Sequence, residues 1–141
     1  MKKTAILFLW LALVGPAWAQ VTPKNAQGNA SIDVFWEKFR AAVIKGDKTV
    51  VASLSRFPIG MPYGVPDIKN NAQLIRRYRE VFNGEANAAR CFREARPEID
   101  PDKPAEFTVA CKNAAGDEVV IYSFGRTPNG WKFTGLDNLN E

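Results

Sequence analysis

Histidine is absent from all 141 residues. With it go the serine–histidine–aspartate and cysteine–histidine dyads, the HExxH pattern and every zinc site that needs an imidazole. Cysteine is scarce, because Cys91 and Cys111 are the whole supply, and that is too few for a four-thiolate zinc site or an iron–sulfur cluster. The D-x-[DN]-x-[DN]-G string of calcium loops does not occur. No metal and no cofactor is expected. After Val14 no apolar run approaches the roughly 20 residues that a membrane-spanning helix needs. Internal repeats and low-complexity segments are missing too. What remains is 46% hydrophobic and 24% charged, too apolar for a disordered chain and of a length for one domain.

The start of the chain is different in kind. Met1-Lys2-Lys3-Thr4 is positive, Ala5 to Val14 is unbroken apolar, Gly15-Pro16 breaks it, and Ala17-Trp18-Ala19 offers small residues at the two positions a signal peptidase reads. This order predicts a cleavable secretory signal over 1–19. No cysteine follows the cleavage site, so a lipid anchor is not expected. Removal of Lys2 and Lys3 lowers the net charge from +4 to +2, which leaves nothing that calls for a nucleic-acid partner. The expected location is periplasmic or secreted, with no membrane span after signal removal. Residues 20–30 are polar and contain Pro23 and Gly28, and they read as a flexible leader. Residues 31–141 read as a single domain.

In that domain Ile32, Phe35, Trp36, Phe39 and Val43 recur at helical spacing, predicting a helix over 31–45. Ser31 or Asp33 is the candidate cap, and Gly46 stands where a left-handed terminator belongs. Asp47 opens a shorter helix with Val50, Val51 and Leu54, which Pro58 ends by Phe57. Phe57-Pro58-Ile59 reads as a short extended piece before a Gly/Pro-rich loop over 60–66. A third helix is predicted from Asn71 to Phe82, with Asn70 and Gln73 as a capping pair and Leu74, Ile75, Tyr78, Val81 and Phe82 as its buried face. Residues 85–103 favour neither helix nor strand. From Ala105 the period becomes two, with turns at 114–117 and 128–130, and three strands follow. Helices first and an antiparallel meander after make a segregated α+β domain.

This order of elements, from Gly46-Asp47 and Phe57-Pro58-Ile59 through Phe82-Asn83-Gly84 to Gly130-Trp131-Lys132-Phe133, resembles small secreted bacterial members of the nuclear transport factor 2-like superfamily. The resemblance covers about residues 31–138. It implies a cystatin-like cone, in which N-terminal helices pack on a curved antiparallel sheet that leaves a pocket at its open end. Members include ketosteroid isomerases, dehydratases and transport factors, so the fold does not decide function. The isomerases use a carboxylate base with a tyrosine or protonated-acid partner in the cone. That motif finds no residue-by-residue match here, and the dehydratase histidine is missing.

Cys91 and Cys111 are the clearest chemical pair. In an oxidising compartment two thiols of a small domain bridge, and closing a loop of about twenty residues stabilises by about 3 kcal/mol. A redox dithiol would take C-x-x-C spacing instead. Asp33 and Glu37 share a helical face away from the apolar stripe and read as solvated, whereas paired catalytic acids need an apolar pocket. Asp47, Asp117 and Asp137 fall where aspartate caps or turns the chain. No catalytic residue is assigned.

Arg76, Arg77 and Arg79 form a positive patch and are candidates for contacting a protein partner. Most aromatic side chains belong to the core, and Phe57, Tyr78, Tyr122 and Trp131 are the candidates for lining a pocket mouth. The favoured expectation is a non-catalytic exported domain that binds a small apolar molecule or a protein partner. The alternatives are a lyase or isomerase that uses the cone, and a periplasmic inhibitor or immunity protein acting through residues 60–68 or the arginine patch.

Overall fold

The computed structural model describes residues 24–139 except Tyr63, with side chains from Ser31 onward. The expected signal over 1–19 lies outside the described residues. Among the described residues five helices and four strands follow one another. They are α1 (Lys24–Lys45), α2 (Lys48–Ser53), β1 (Ser55–Gly60), α3 (Asn71–Arg76), α4 (Tyr78–Asn83), α5 (Ala88–Cys91), β2 (Glu106–Lys112), β3 (Val119–Thr127) and β4 (Gly130–Asn138). The architecture is α+β, with the helices ahead of the main sheet strands.

Helix α1 begins at Lys24, so neither Ser31 nor Asp33 caps it, and residues 24–30 are helical backbone where the sequence suggested a loose leader. Its end follows the sequence closely. Gly46 takes φ +70°, and the Gly46 and Asp47 amides donate to the carbonyls of Val43 and Ala42. Those two bonds satisfy carbonyls that a helix end otherwise leaves without partners. Asp47 then caps α2 through the amide of Val50. Asn70 likewise caps α3 through the Gln73 amide, while the Gln73 side chain accepts from the amide of Lys69.

The helix expected over 71–82 is interrupted at Arg77, whose φ of −93° and ψ of 12° leave the helical range. Its guanidinium donates to the Pro66 carbonyl and grips Glu80. Residue 77 thus ties the joint between α3 and α4 to the preceding loop. The unassigned stretch 85–103 holds α5, capped by Asn87 on the Arg90 amide, and an extended residue, Glu98, bridged to Thr108.

The sheet runs in the order β1-β4-β3-β2. The β2–β3 and β3–β4 pairs are antiparallel as expected, but β1 lies parallel to β4, with Ser55 opposite Phe133 and Gly60 opposite Gly135. The sheet is therefore mixed and not purely antiparallel. Periodicity assigns strands but not their direction, and a parallel pair needs a long crossover, which α3 to α5 and the two following strands supply. Register shifts interrupt β1–β4 and β3–β4, and such bulges bend a sheet.

One sheet face carries Phe107, Val109, Cys111, Val120, Tyr122, Phe124, Trp131, Phe133 and Leu136, all buried. Against it lies the apolar stripe of α1, with Phe39 fully buried at the centre. The Phe39 ring meets Phe124 edge-on at 5.0 Å and also touches Phe82, Phe92 and Phe133.

Candidate functional site

The interior between α1 and the sheet is the first place to look for a site, and it is full. Trp36 packs on Phe92 at 4.8 Å, Phe92 on Tyr122 at 5.0 Å, and Phe107 stacks on Phe124 at 4.5 Å. Rings of this size occupy the volume that a ligand would need. Beside it, between the loop after β1, α4 and the sheet, lies a cavity of about 50 Å³, lined by Met61, Val65, Glu80, Glu85, Tyr122 and Leu136 among others. That admits a few water molecules at most, against the roughly 300–1,000 Å³ of ordinary ligand pockets.

The polar groups around this small cavity are already engaged. Glu80 is held by Arg77, whose hydrogen bond keeps the carboxyl below its ordinary range. Glu85 accepts from Asn138. The Tyr122 hydroxyl donates to the Val81 carbonyl at 3.2 Å, and burial, more than the charge of Glu85, pushes its ionisation upward. Met61, Pro62 and Val65 of the Gly/Pro-rich loop turn toward this cavity instead of projecting as a docking cluster.

The four aromatic candidates do not gather. Tyr78 packs at a tilt on Phe82 at 4.7 Å, and Phe82 lies parallel to Tyr122, so those two tyrosines join through one ring. The Tyr78 hydroxyl approaches the Val43 carbonyl, and burial first and then Asp47 push its pKa up to about 12. Trp131 sits near the β3–β4 turn against Phe107. Phe57 is half-buried on β1 and packs on the core edge. Of the four, Tyr122 alone lines the small cavity. Among the arginines, Arg77 is tied into the fold as described, while Arg76 and Arg79 are exposed. The acids Asp33 and Glu37 are exposed, and Glu37 pairs with Arg40.

Cys91 and Cys111 are bonded, with Cα atoms 5.9 Å apart. The bond fastens α5 against β2, and beside it lies a larger feature that sequence reasoning missed. An open groove of about 810 Å³ runs between α5 with its following turn and the outer edge of β2. Asn87, Arg90, Cys91 and Glu94 form one wall, and Ala110, Lys112 and Asn113 form the other. No signal for it was legible, because residues 85–103 gave no period from which to place a wall.

No family model matches the chain, and no curated protein matches it. Solved structures of similar shape exist. One is a dehydratase-like protein of the NTF2-like family from Streptomyces avermitilis, 16% identical, covering 81% of this chain and 96% of its own at a TM-score of 0.48. A second is an NTF2-like protein of unknown function from Shewanella oneidensis, 11% identical, with 78% and 97% covered and a TM-score of 0.47. A third is an NTF2-like protein with a cystatin-like fold from Novosphingobium aromaticivorans, 14% identical, with 81% and 82% covered and a TM-score of 0.46. Each is a likeness of shape, and no residue role passes from it to this chain.

Proposed function

We propose that this protein is an exported, disulfide-braced binding domain that meets a polypeptide partner on its surface. The carrying observation is the aromatic packing between α1 and the sheet, beside which the cavity lined by Tyr122 and Leu136 holds only about 50 Å³. The disulfide accords with an oxidising compartment. Among the described residues no helix is long and apolar enough to cross a membrane. An enzyme of the cone type is the second reading, favoured by Glu80, Glu85 and Tyr122 lining one cavity. Their engagement with Arg77, Asn138 and the Val81 carbonyl weighs against a free proton-transfer group there.

A panel of apolar small molecules added to the oxidised protein tests this reading. The expected result is no saturable rise in melting temperature and no change in the amide resonances of Tyr122 and Leu136. Saturable binding that moves those resonances would restore the interior pocket, and with it the ligand-binding or enzymatic reading.

A further inference from the structure

The strand order ends at β2, so one edge of β2 faces away from the sheet. Successive residues of a strand send their backbone groups to opposite sides. Ala105 accepts from Arg126 and Asn113 donates to Glu118, both toward β3, so the odd-numbered positions face inward. The even-numbered ones face outward. Thr108 both donates to and accepts from Glu98, at 2.9 and 2.8 Å, and the Glu106 amide donates to Lys103. The edge is thus covered by the protein's own 98–103 segment as far as Thr108. Beyond it, Ala110 and Lys112 have no backbone partner among the described residues, and both line the groove, although the disulfide-bonded Cys91 sulfur lies 3.6 Å from the Ala110 carbonyl.

Among the described residues the adjoining segment does not close this stretch. Continuing antiparallel from Glu98 would bring residues 94–96 alongside, but the amides of Glu94 and Ala95 donate to the Cys91 carbonyl in a turn. The disulfide pins Cys91 to Cys111, between the two open positions. A wall therefore stands beside an edge without a neighbouring strand, with a groove of about 810 Å³ between them.

From this we infer that the Ala110–Lys112 edge takes up an extended segment of a partner polypeptide as an added strand, an inference that rests on the surface-binding reading above. The Ala110 amide and the Lys112 amide and carbonyl, at strand spacing, complement another extended backbone and little else. The side chains along the groove are charge-balanced, Arg90 and Lys112 against Glu85 and Glu94. Arg90 and Glu94 enter no salt bridge among the described residues, so they are free to meet charges of either sign on alternate residues of the guest. The segment that fits is polar and without strong net charge, recognised mainly through its main chain.

The probe is a phage-displayed random-peptide library panned on the oxidised full chain. Recovered peptides should slow amide exchange at Ala110 and Lys112, which in the free protein should exchange faster than Val109 and Cys111. Methylating alternate backbone amides of a recovered peptide should weaken it by about tenfold or more. Ala110→Pro, which removes an outward amide that the sheet does not use, should do the same, whereas Lys112→Ala should leave affinity within about twofold. If Ala110→Pro does not fold, the methylated peptides decide the matter on the wild-type chain. Failure to recover any peptide, or indifference of the peptides to methylation, overturns the edge site. So does a peptide-free dimer that protects Ala110 and Lys112, which would make a second copy the occupant. Peptides that protect residues elsewhere overturn the edge site but leave the surface-binding reading standing. Only an apolar molecule bound inside the cone overturns that reading.

Discussion

At the scale of single residues, three buried polar groups make testable claims. The Trp131 indole is buried, and its Nε1 has no partner among the described residues. An unsatisfied buried donor is a cost, so losing it offsets part of the packing lost with the smaller ring. Trp131→Phe should therefore stay within about 1.5 kcal/mol of wild type, whereas Trp131→Ala should cost about 3–5 kcal/mol by urea denaturation. The tyrosines supply a pH window. Burial raises the ionisation of Tyr78 to about 12 and moves that of Tyr122 the same way, from the ordinary 10.0. The folded-state values are raised, so this stabilisation is intact below pH 10.0 and is lost as pH climbs through about 12. Phenolate absorbance should show Tyr78 and Tyr122 ionising late, at the pH where the fold gives way.

At the scale of elements, the joints matter more than the helices, several of which are too short to stand alone. Helix α5 spans Ala88–Cys91, and it is held by the Asn87 cap and the disulfide. Cys111→Ala should cost on the order of 2–5 kcal/mol, with a matching loss when the wild-type bond is reduced. The turn from α1 to α2 depends on Gly46 at φ +70°. A Cβ there would meet no neighbouring atom, so the whole effect of Gly46→Ala is backbone strain. A loss of about 1–2 kcal/mol is expected from thermal unfolding.

At the scale of the whole molecule, the core is one aromatic cluster joining every layer, and Phe39 is its hub. Phe39→Ala should cost about 3–5 kcal/mol, measured by urea denaturation. A loss below about 1 kcal/mol would mean that the cluster is looser than its ring contacts show. The same cluster bears on function, because rings that stabilise the cone also fill it. Export belongs to this scale as well. Mass spectrometry of material exported by a bacterial host should find Gln20 at the N-terminus, and an intact Met1 on membranes would refute the secretory reading.

The helical stripe of Ile32, Trp36, Phe39 and Val43, the caps at Asp47 and Asn70, the left-handed Gly46 and the alternation of β2 were legible because each depends on near neighbours in the chain. The cysteine pairing was legible because two thiols leave only one partner choice. The break at Arg77 was not, since it answers to the carbonyl of Pro66 and to Glu80, not to the apolar period of the helix. Nor was the direction of β1, because Ser55 through Gly60 reads the same whether its neighbour is parallel or antiparallel. The arrangement of Phe57, Tyr78, Tyr122 and Trp131 was likewise undetermined, because an aromatic side chain serves equally as core or as pocket wall. Only the tertiary structure sums the ring volumes inside the cone, and only it sets α5 beside the open edge of β2. Both are contacts between segments far apart in sequence, where local pattern carries no information.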